Sequence, residues 1–120
     1  MLLNINEFLI SLSRTLDFAE KEILPTHSNH GMRVAYISAR LAKKIGFSES
    51  SLFDLISYSL LHDNGVMASL RKMKDKGVTI STDSGAVEAM PLHCIEGEKN
   101  LANFPFLMKR ENVILYHHEN

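Results

Sequence analysis

The feature that most constrains the fold is a dense apolar segment that begins near Leu52 and ends at Leu61. Its large side chains cover most of the circumference of a helix, which is typical of a helix buried on nearly all sides. They are Leu52, Phe53, Leu55, Ile56, Leu60 and Leu61. Ser48 is suited to cap the start of this helix, with Glu49 near its positive end. Such a helix needs others around it, so we expect it at the centre of a bundle.

Two amphipathic helices are predicted before this segment. Apolar residues recur at alternating steps of four and three between Ile5 and Ile23, and Pro25 then disfavours further helix. This stripe is Ile5, Leu9, Leu12, Leu16, Ala19 and Ile23, with Phe8 beside it and Asn4 or Asn6 as candidate N-cap. The stripe is typical of a core face, and a homodimer through this first helix is the alternative.

The second helix is predicted to direct four apolar side chains inward and to end at Lys43-Lys44, with Gly46 as its C-terminal cap. Those four are Val34, Ile37, Leu41 and Ile45. His30 lies at or near the first turn of this helix.

Further helices are predicted after the central one. Residues from Met67 to Lys76 form the first of them, which stops at Gly77. The stretch from Val78 to Gly85 is rich in Thr, Ser and Gly, so it is read as a connecting loop, with a lid over a site as the alternative.

The next helix starts around Ala86 or at Pro91 and runs towards Leu101. If Pro91 is its first residue, His93 lies in the first turn, where the positive helix end favours neutral imidazole. A hydrophobic corner and a last helix complete the chain: Phe104-Pro105-Phe106, and Val113, Ile114 and Leu115 running into His117-His118. No strand is predicted. The fold class is therefore all-α, a compact bundle of about five to six helices.

Composition excludes several classes of function. The 120 residues include 13 basic and 14 acidic ones, for a net charge of -1, which disfavours binding to duplex nucleic acid or to anionic membranes. No apolar run approaches the roughly 18 residues of a membrane span, and the N-terminus lacks signal-peptide features. The single Cys94 excludes an internal disulfide and fits a reducing cytoplasm. It is expected to be a small packed residue rather than a ligand beside His93.

Several histidines and one aspartate fall at the ends of predicted helices, where a bundle can bring them to one cleft. A His-Asp pair taken alone is more typical of a surface or a helix cap. Adjacent histidines on a helix diverge by about 100°, so His117 and His118 are expected to reach two neighbouring ions rather than one. Imidazole and carboxylate ligands suit iron, manganese, zinc, cobalt or nickel better than calcium. The pattern favours a binuclear hydrolytic centre.

In their order, these residues resemble the HD superfamily of metal-dependent phosphohydrolases. The matching segments are His30-x-x-Arg33-Val34, His62-Asp63-Asn64-Gly65, His93 and Tyr116-His117-His118-Glu119. More narrowly, they resemble the HD-GYP branch, whose members hydrolyse cyclic di-GMP.

The resemblance implies metal ligands at His30, His62, Asp63, His93, His117 and His118. Two divalent transition-metal ions would be bridged by Asp63, and water between them would attack phosphorus, with His62 and Asp63 at the catalytic centre. Arg33 would be structural or phosphate-facing. Residues 1–25 would form a helix packing on an HD-type domain at residues 26–120. The partner would be a cyclic dinucleotide or another nucleotide phosphate.

Three departures from the HD-GYP pattern favour alternatives. Val66 stands where members carry a lysine that assists the phosphate, and Lys72 or Lys74 is the candidate replacement. The Gly-Tyr-Pro segment and a later carboxylate ligand are missing, as expected of a truncated module. Thr26 replaces an acidic residue, so two ions are expected rather than three, and His27 has no counterpart in the family. A degenerate metal- or nucleotide-binding module, and an HD hydrolase of ordinary nucleotides, remain open.

Overall fold

The computed structural model describes residues 4–21, 29–77 and 85–119, and all regular secondary structure in these ranges is helical. The five helices are α1 (Ile5–Lys21), α2 (His30–Lys44), α3 (Glu49–Leu61), α4 (Val66–Asp75) and α5 (Gly85–Asn100). The predicted all-α class is confirmed. No helix of the described residues is long and apolar enough to cross a membrane.

The central position of α3 follows from its sequence. It packs against α1 and α2, and its last residues, Leu60 and Leu61, belong to the buried core together with Leu9 of α1. The Asn4 side chain accepts hydrogen bonds from the first N–H groups of α1, and Ser48 does the same for α3, so both predicted caps are confirmed.

The apolar stripe of α1 faces this core, with Ile5, Leu12 and Leu16 packed against it. The homodimer through α1 remains a prediction. Phe8, which was predicted to widen this stripe, is instead 45% exposed, and Phe18 is 69% exposed.

Helix α2 turns a different face inward from the one predicted. Ile37, Leu41 and Ile45 are more than half exposed. The buried residues of the helix are instead small: Gly31, Ala35 and Ala42. Small residues allow close approach, since a Cβ at Gly31 would lie 2.5 Å from Oγ of Ser13 on α1. Backbone proximity, rather than side-chain hydrophobicity, sets the orientation of α2. Its predicted end is confirmed, with Gly46 at φ 84°.

Helices α4 and α5 pack against each other beside the core. Gly77 (φ 73°) follows the end of α4, as predicted. Pro91 lies inside α5, so the interpretation of Pro91 as the first helical residue is wrong and His93 lies in mid-helix. A proline removes only one backbone donor, and the helix continues on both sides of it. Most of the predicted loop, residues 78–84, lies outside the described residues.

The last segment, residues 101–119, consists of turns, so the predicted final helix is wrong. Asn112, which directly precedes Val113, adopts φ 66°, outside the right-handed helical region. The hydrophobic corner is confirmed, because Phe104 and Phe106 pack on the core and Phe106 stacks on Tyr58 with ring centroids 4.0 Å apart. The Tyr58 hydroxyl also donates to the carbonyl of Arg110 at 2.8 Å. Ile114 closes the core with 1% of its surface exposed.

Candidate metal centre

Four separate parts of the chain meet at Asp63. His30 is the first residue of α2, and His62 and Asp63 directly follow α3. His93 lies in the middle of α5. The pair His117-His118 lies in the C-terminal turns. The structure thus brings together the six side chains that the sequence singled out as ligands.

The first donor group consists of His30, His62 and Oδ2 of Asp63. The two Nε2 atoms are 3.1 Å apart. Oδ2 lies 2.8 Å from Nε2 of His62 and 3.4 Å from Nε2 of His30. All three donor atoms therefore face one point between α2 and the end of α3.

The second donor group contains His93, His117, His118 and the other carboxylate oxygen of Asp63. Nε2 of His93 lies 3.3 Å from Nε2 of His117 and 3.2 Å from that of His118. Oδ1 of Asp63 is 3.4 Å from His93 and 3.6 Å from His117. His117 and His118 thus lie in the same group, contrary to the expectation that they diverge. That expectation assumed a helix, and the segment is a turn.

Backbone carbonyls orient two of the rings. Nδ1 of His62 lies 2.8 Å from the carbonyl oxygen of Ser59, and Nδ1 of His117 lies 2.6 Å from that of Ile114. A carbonyl oxygen only accepts, so the Nδ1 of each ring carries the proton. With the Nδ1 proton held in this way, each ring turns its Nε2 atom to the centre. This atom donates a hydrogen bond to Asp63 when the ring is charged and offers a lone pair to a metal ion when the ring is neutral.

The spacing of the donor atoms fits metal coordination. Ligand atoms about 2.0–2.2 Å from an ion are separated from each other by roughly 3.0–3.5 Å in octahedral or tetrahedral arrangements. The distances within the two groups run from 2.8 Å to 3.6 Å. The residues present therefore fit divalent transition-metal ions.

The electrostatics of the metal-free side chains follow from their packing. Burial favours the neutral form of Asp63, but hydrogen bonds from His117, His62 and His93 outweigh it and hold the pKa of Asp63 far below its ordinary value. Burial also opposes the charging of His62, yet its hydrogen bond to Asp63 raises its pKa. Burial, followed by the charge of His117, lowers the pKa of His118. The centre thus keeps a carboxylate charged in a protected position.

Comparison with known proteins identifies the family of this chain. The family of the HD domain matches residues 28–120. The chain belongs to the HD domain family. It is 29% identical over 115 residues to a 3'3'-cGAMP-specific phosphodiesterase 1 from Vibrio cholerae, a match that covers 96% of this chain. The chain spans 24% of the length of that relative. No solved structure matched.

The residues after Asp63 join the two halves of the HD site. The Asn64 amide donates to the carbonyl oxygens of Leu61 and Gly97, at 2.8 Å and 3.2 Å. A Cβ at Gly65 would lie only 2.1 Å from the carbonyl oxygen of His93. Glycine is therefore required for α5 to approach the turn, and this approach brings His93 to Asp63.

Glu98, which the sequence did not single out, organises the C-terminal turns of the HD domain. Its carboxylate accepts hydrogen bonds from the N–H groups of Asn112, Ile114 and Leu115 at 2.8–3.2 Å. These residues lie two to five positions before His117. A single glutamate in a helix carries no sequence signal for such a role, because its partners are backbone groups far along the chain.

Helix α1 adds two further acidic residues that were not predicted. Oδ1 of Asp17 accepts from the Gly31 N–H at 3.0 Å, one residue after His30. It supplies a cap that α2 lacks, since Asn29 makes no side-chain cap. Glu20 is 3% exposed, and burial, then the charge of Asp63, raises its pKa to about 8.

The residues considered for phosphate binding lie in less specialised surroundings. Arg33 and Lys74 are exposed, on α2 and α4 respectively. Lys72 is engaged with Glu96, its Nζ lying 2.7 Å from Oε1. Val66, in the position of the expected lysine, is the first residue of α4 and is buried. Thr26 and His27 lie outside the described residues.

Proposed function

We propose that this HD domain is a metal-dependent phosphodiesterase that hydrolyses a cyclic dinucleotide at a binuclear centre. The observation that carries the proposal is that the two carboxylate oxygens of Asp63 face different donor groups. Oδ2 faces His30 and His62, and Oδ1 faces His93 and His117. A carboxylate in this position is suited to bridge two cations.

The first ion would be held by His30, His62 and Asp63, and the second by Asp63, His93, His117 and His118. Ions bound there, drawn from iron, manganese, zinc, cobalt and nickel, neutralise phosphate charge and lower the pKa of an attacking water. The protein's contribution is orientation, since Ser59 and Ile114 hold the rings of His62 and His117 by their carbonyls. Asp63 keeps its negative charge while buried, so it would offset part of the repulsion between two bound cations.

The resemblance to HD-GYP domains and the relative from Vibrio cholerae both favour a cyclic dinucleotide as the substrate. The HD-GYP pattern implies cyclic di-GMP, and the relative is named for 3'3'-cGAMP. Both are cyclic dinucleotides with 3'–5' phosphodiester bonds, so the shared chemistry is proposed and the choice of base is left to the assay. Arg33 and Lys74 are the exposed cations available for the phosphates, and Lys72 would first have to leave Glu96.

The test compares the wild-type protein with Asp63→Asn, using elemental analysis and hydrolysis of cyclic di-GMP and 3'3'-cGAMP. We expect about two transition-metal ions per wild-type chain and a loss of both in the variant. Hydrolysis should fall at least ~10³-fold, which corresponds to several kcal/mol in the barrier. Asp75→Asn, at the exposed end of α4, is the matched control and should retain both ions. Wild-type protein that remains metal-free after reconstitution would contradict the proposal.

A second candidate is favoured by Val66, which is 5% exposed. A buried aliphatic side chain donates no hydrogen bond to phosphate, so the HD domain would bind metal or nucleotide as a signalling module without turnover. Two bound ions and tight binding of a cyclic dinucleotide, with no hydrolysis by the full-length protein, would establish this alternative. Hydrolysis of linear nucleotides alone would instead indicate an HD hydrolase of ordinary nucleotides.

A further inference from the structure

A sulfur atom lies beside the second donor group but is not part of the proposed ligand set. The donor atoms of His93, Cys94, His117 and His118 all lie within 4.8 Å of one another. Sγ of Cys94 is 3.8 Å from Nε2 of His93. Cys94 is therefore part of a cluster of four ligand-type side chains rather than an isolated thiol.

The distances in this cluster match a metal site with one thiolate. For zinc–sulfur and zinc–nitrogen bonds of about 2.3 Å and 2.05 Å, a tetrahedral angle separates sulfur from nitrogen by roughly 3.6 Å. Two nitrogens are then separated by roughly 3.3 Å. The structure has 3.8 Å between Sγ and Nε2 of His93, and 3.3 Å and 3.2 Å from that Nε2 to His117 and His118. The remaining distances from Sγ to the other donor atoms are within 4.8 Å, so one five-coordinate ion can be reached by these four donors together with Oδ1 of Asp63.

Burial alone is also expected of a small packed residue, as the sequence predicts for Cys94. Cys94 is 5% exposed and belongs to the buried hydrophobic residues, as do Val66, Leu70 and Met73 of α4. What distinguishes Cys94 from them is that its sulfur lies 3.8 Å from Nε2 of His93, within a group of donor atoms. The position of the sulfur, rather than its burial, favours coordination.

We propose that Cys94 is a protein ligand of the second ion, beside His93, His117 and His118. The inference rests on the binuclear centre proposed above and adds a ligand to it. When the sulfur–metal bond forms, the thiol proton passes to solvent and the sulfur binds as thiolate, without oxidation or reduction. A thiolate makes the second site softer than the first, which has only imidazole and carboxylate ligands. The second site should therefore prefer zinc, cobalt or iron(II) to manganese.

Cobalt(II) reconstitution of the metal-free protein tests this directly. Cys94 is the single cysteine of the chain, so a thiolate-to-cobalt charge-transfer band in the near ultraviolet can arise from no other side chain. The samples must contain a phosphine reductant rather than a thiol. We expect the band in the wild-type protein and its loss in both Cys94→Ser and Cys94→Ala, with at least one cobalt still bound per chain.

X-ray absorption of the zinc-loaded wild-type protein provides a readout that needs no variant. One sulfur at about 2.3 Å from part of the zinc is expected. Ions bound with only nitrogen and oxygen neighbours, and no charge-transfer band, would overturn the role of Cys94 while leaving the binuclear centre intact. Failure of the wild-type protein to bind cobalt or zinc at all would overturn both proposals.

Discussion

The two donor groups share Asp63 but are held in place by different means. The first group lies at helix ends, where His30 begins α2 and His62 follows α3. The second group combines His93, in mid-helix, with two histidines in a segment of turns. Ends of packed helices are positioned by the helices themselves, whereas a turn needs separate restraints. Donor residues in regular structure are therefore supported by the core, and donor residues in turns by specific polar contacts.

Near each group, one carboxylate from elsewhere in the chain accepts hydrogen bonds from backbone N–H groups close to the donor residues. Asp17 does so at Gly31 for the first group, and Glu98 does so at Asn112, Ile114 and Leu115 for the second. Hydrogen bonds to an ionised acceptor are stronger than neutral ones, so both contacts are expected to matter. The difference is one of number, with a single N–H at the helix start and three in the turns.

The largest effect is expected for Gly65→Ala, which acts where the two groups are joined. The added Cβ would lie 2.1 Å from the carbonyl oxygen of His93 and 2.5 Å from the Gly97 nitrogen, so α5 must move away. We expect a loss of more than about 3 kcal/mol in the free energy of unfolding, measured with urea. Gly77→Ala is the control, because nothing lies within 4 Å of a Cβ there and only the positive φ is strained. Equal losses for the two variants would show that the close approach at Gly65 has no energetic importance.

The next largest effect concerns the pH dependence of the metal-free protein near the first group. The pKa of Glu20 is about 8 in the folded state against 4.5 for an ordinary glutamate, because burial and then Asp63 favour the neutral acid. The folded state thus keeps a proton that the unfolded state has lost, so this contribution to stability is full below about pH 4.5 and declines up to about pH 8.

Relative to Glu20→Gln, wild-type stability should therefore fall by about 2–3 kcal/mol between pH 5 and pH 8, measured by urea unfolding at each pH. Bound cations favour the charged carboxylate, so the fall should shrink on metal loading. If the stabilities of the two metal-free proteins depend on pH in the same way, the raised pKa of Glu20 is contradicted.

Glu98→Gln should weaken the second donor group and leave the first unchanged. Its amide would place a donor against N–H groups that now face a carboxylate oxygen, and about 2 kcal/mol of stability should be lost. The ion held by His93, His117 and His118 should be lost first in a chelator titration, and the other should remain. Glu96→Gln is the matched control on the same helix, since Glu96 pairs with the exposed Lys72 and Lys99. Loss of both ions together would show that the groups are not held independently.

Asp17→Ala is the reciprocal variant and the smallest of these effects. It leaves the Gly31 N–H without its acceptor, which should reduce stability by about 1–2 kcal/mol, as for other lost caps. The ion held through His30 should bind more weakly and the cobalt–thiolate band should be unchanged. Asp17→Asn, which retains an oxygen acceptor, should recover most of the binding. An equal effect on metal binding from exposed Asp75→Ala would remove the role assigned to Asp17.

The sequence predicted best where local periodicity and capping decide the outcome. The caps Asn4 and Ser48 follow from side-chain chemistry within one turn, and the dense apolar segment before Leu61 marks the central helix. The face of α2 was predicted wrongly because Gly31 and Ala35 are buried through backbone proximity, which hydrophobicity does not report.

The final helix was also predicted wrongly, because the apolar residues around Ile114 suggest a helix, whereas Glu98 and the core draw this segment into turns. In this segment, contacts with residues distant in the chain outweigh the local preference for a helix.

By itself, the sequence determined the all-α class and the set of ligand-type residues, because helix periodicity and residue identity are local properties. Only the tertiary structure decided how those residues divide around Asp63. It also decided that Cys94, Asp17 and Glu98 lie close to them. The physical reason is that a cluster of donor residues of this kind is assembled from segments far apart in the chain. Distances between such segments are set by packing, which depends on the whole fold.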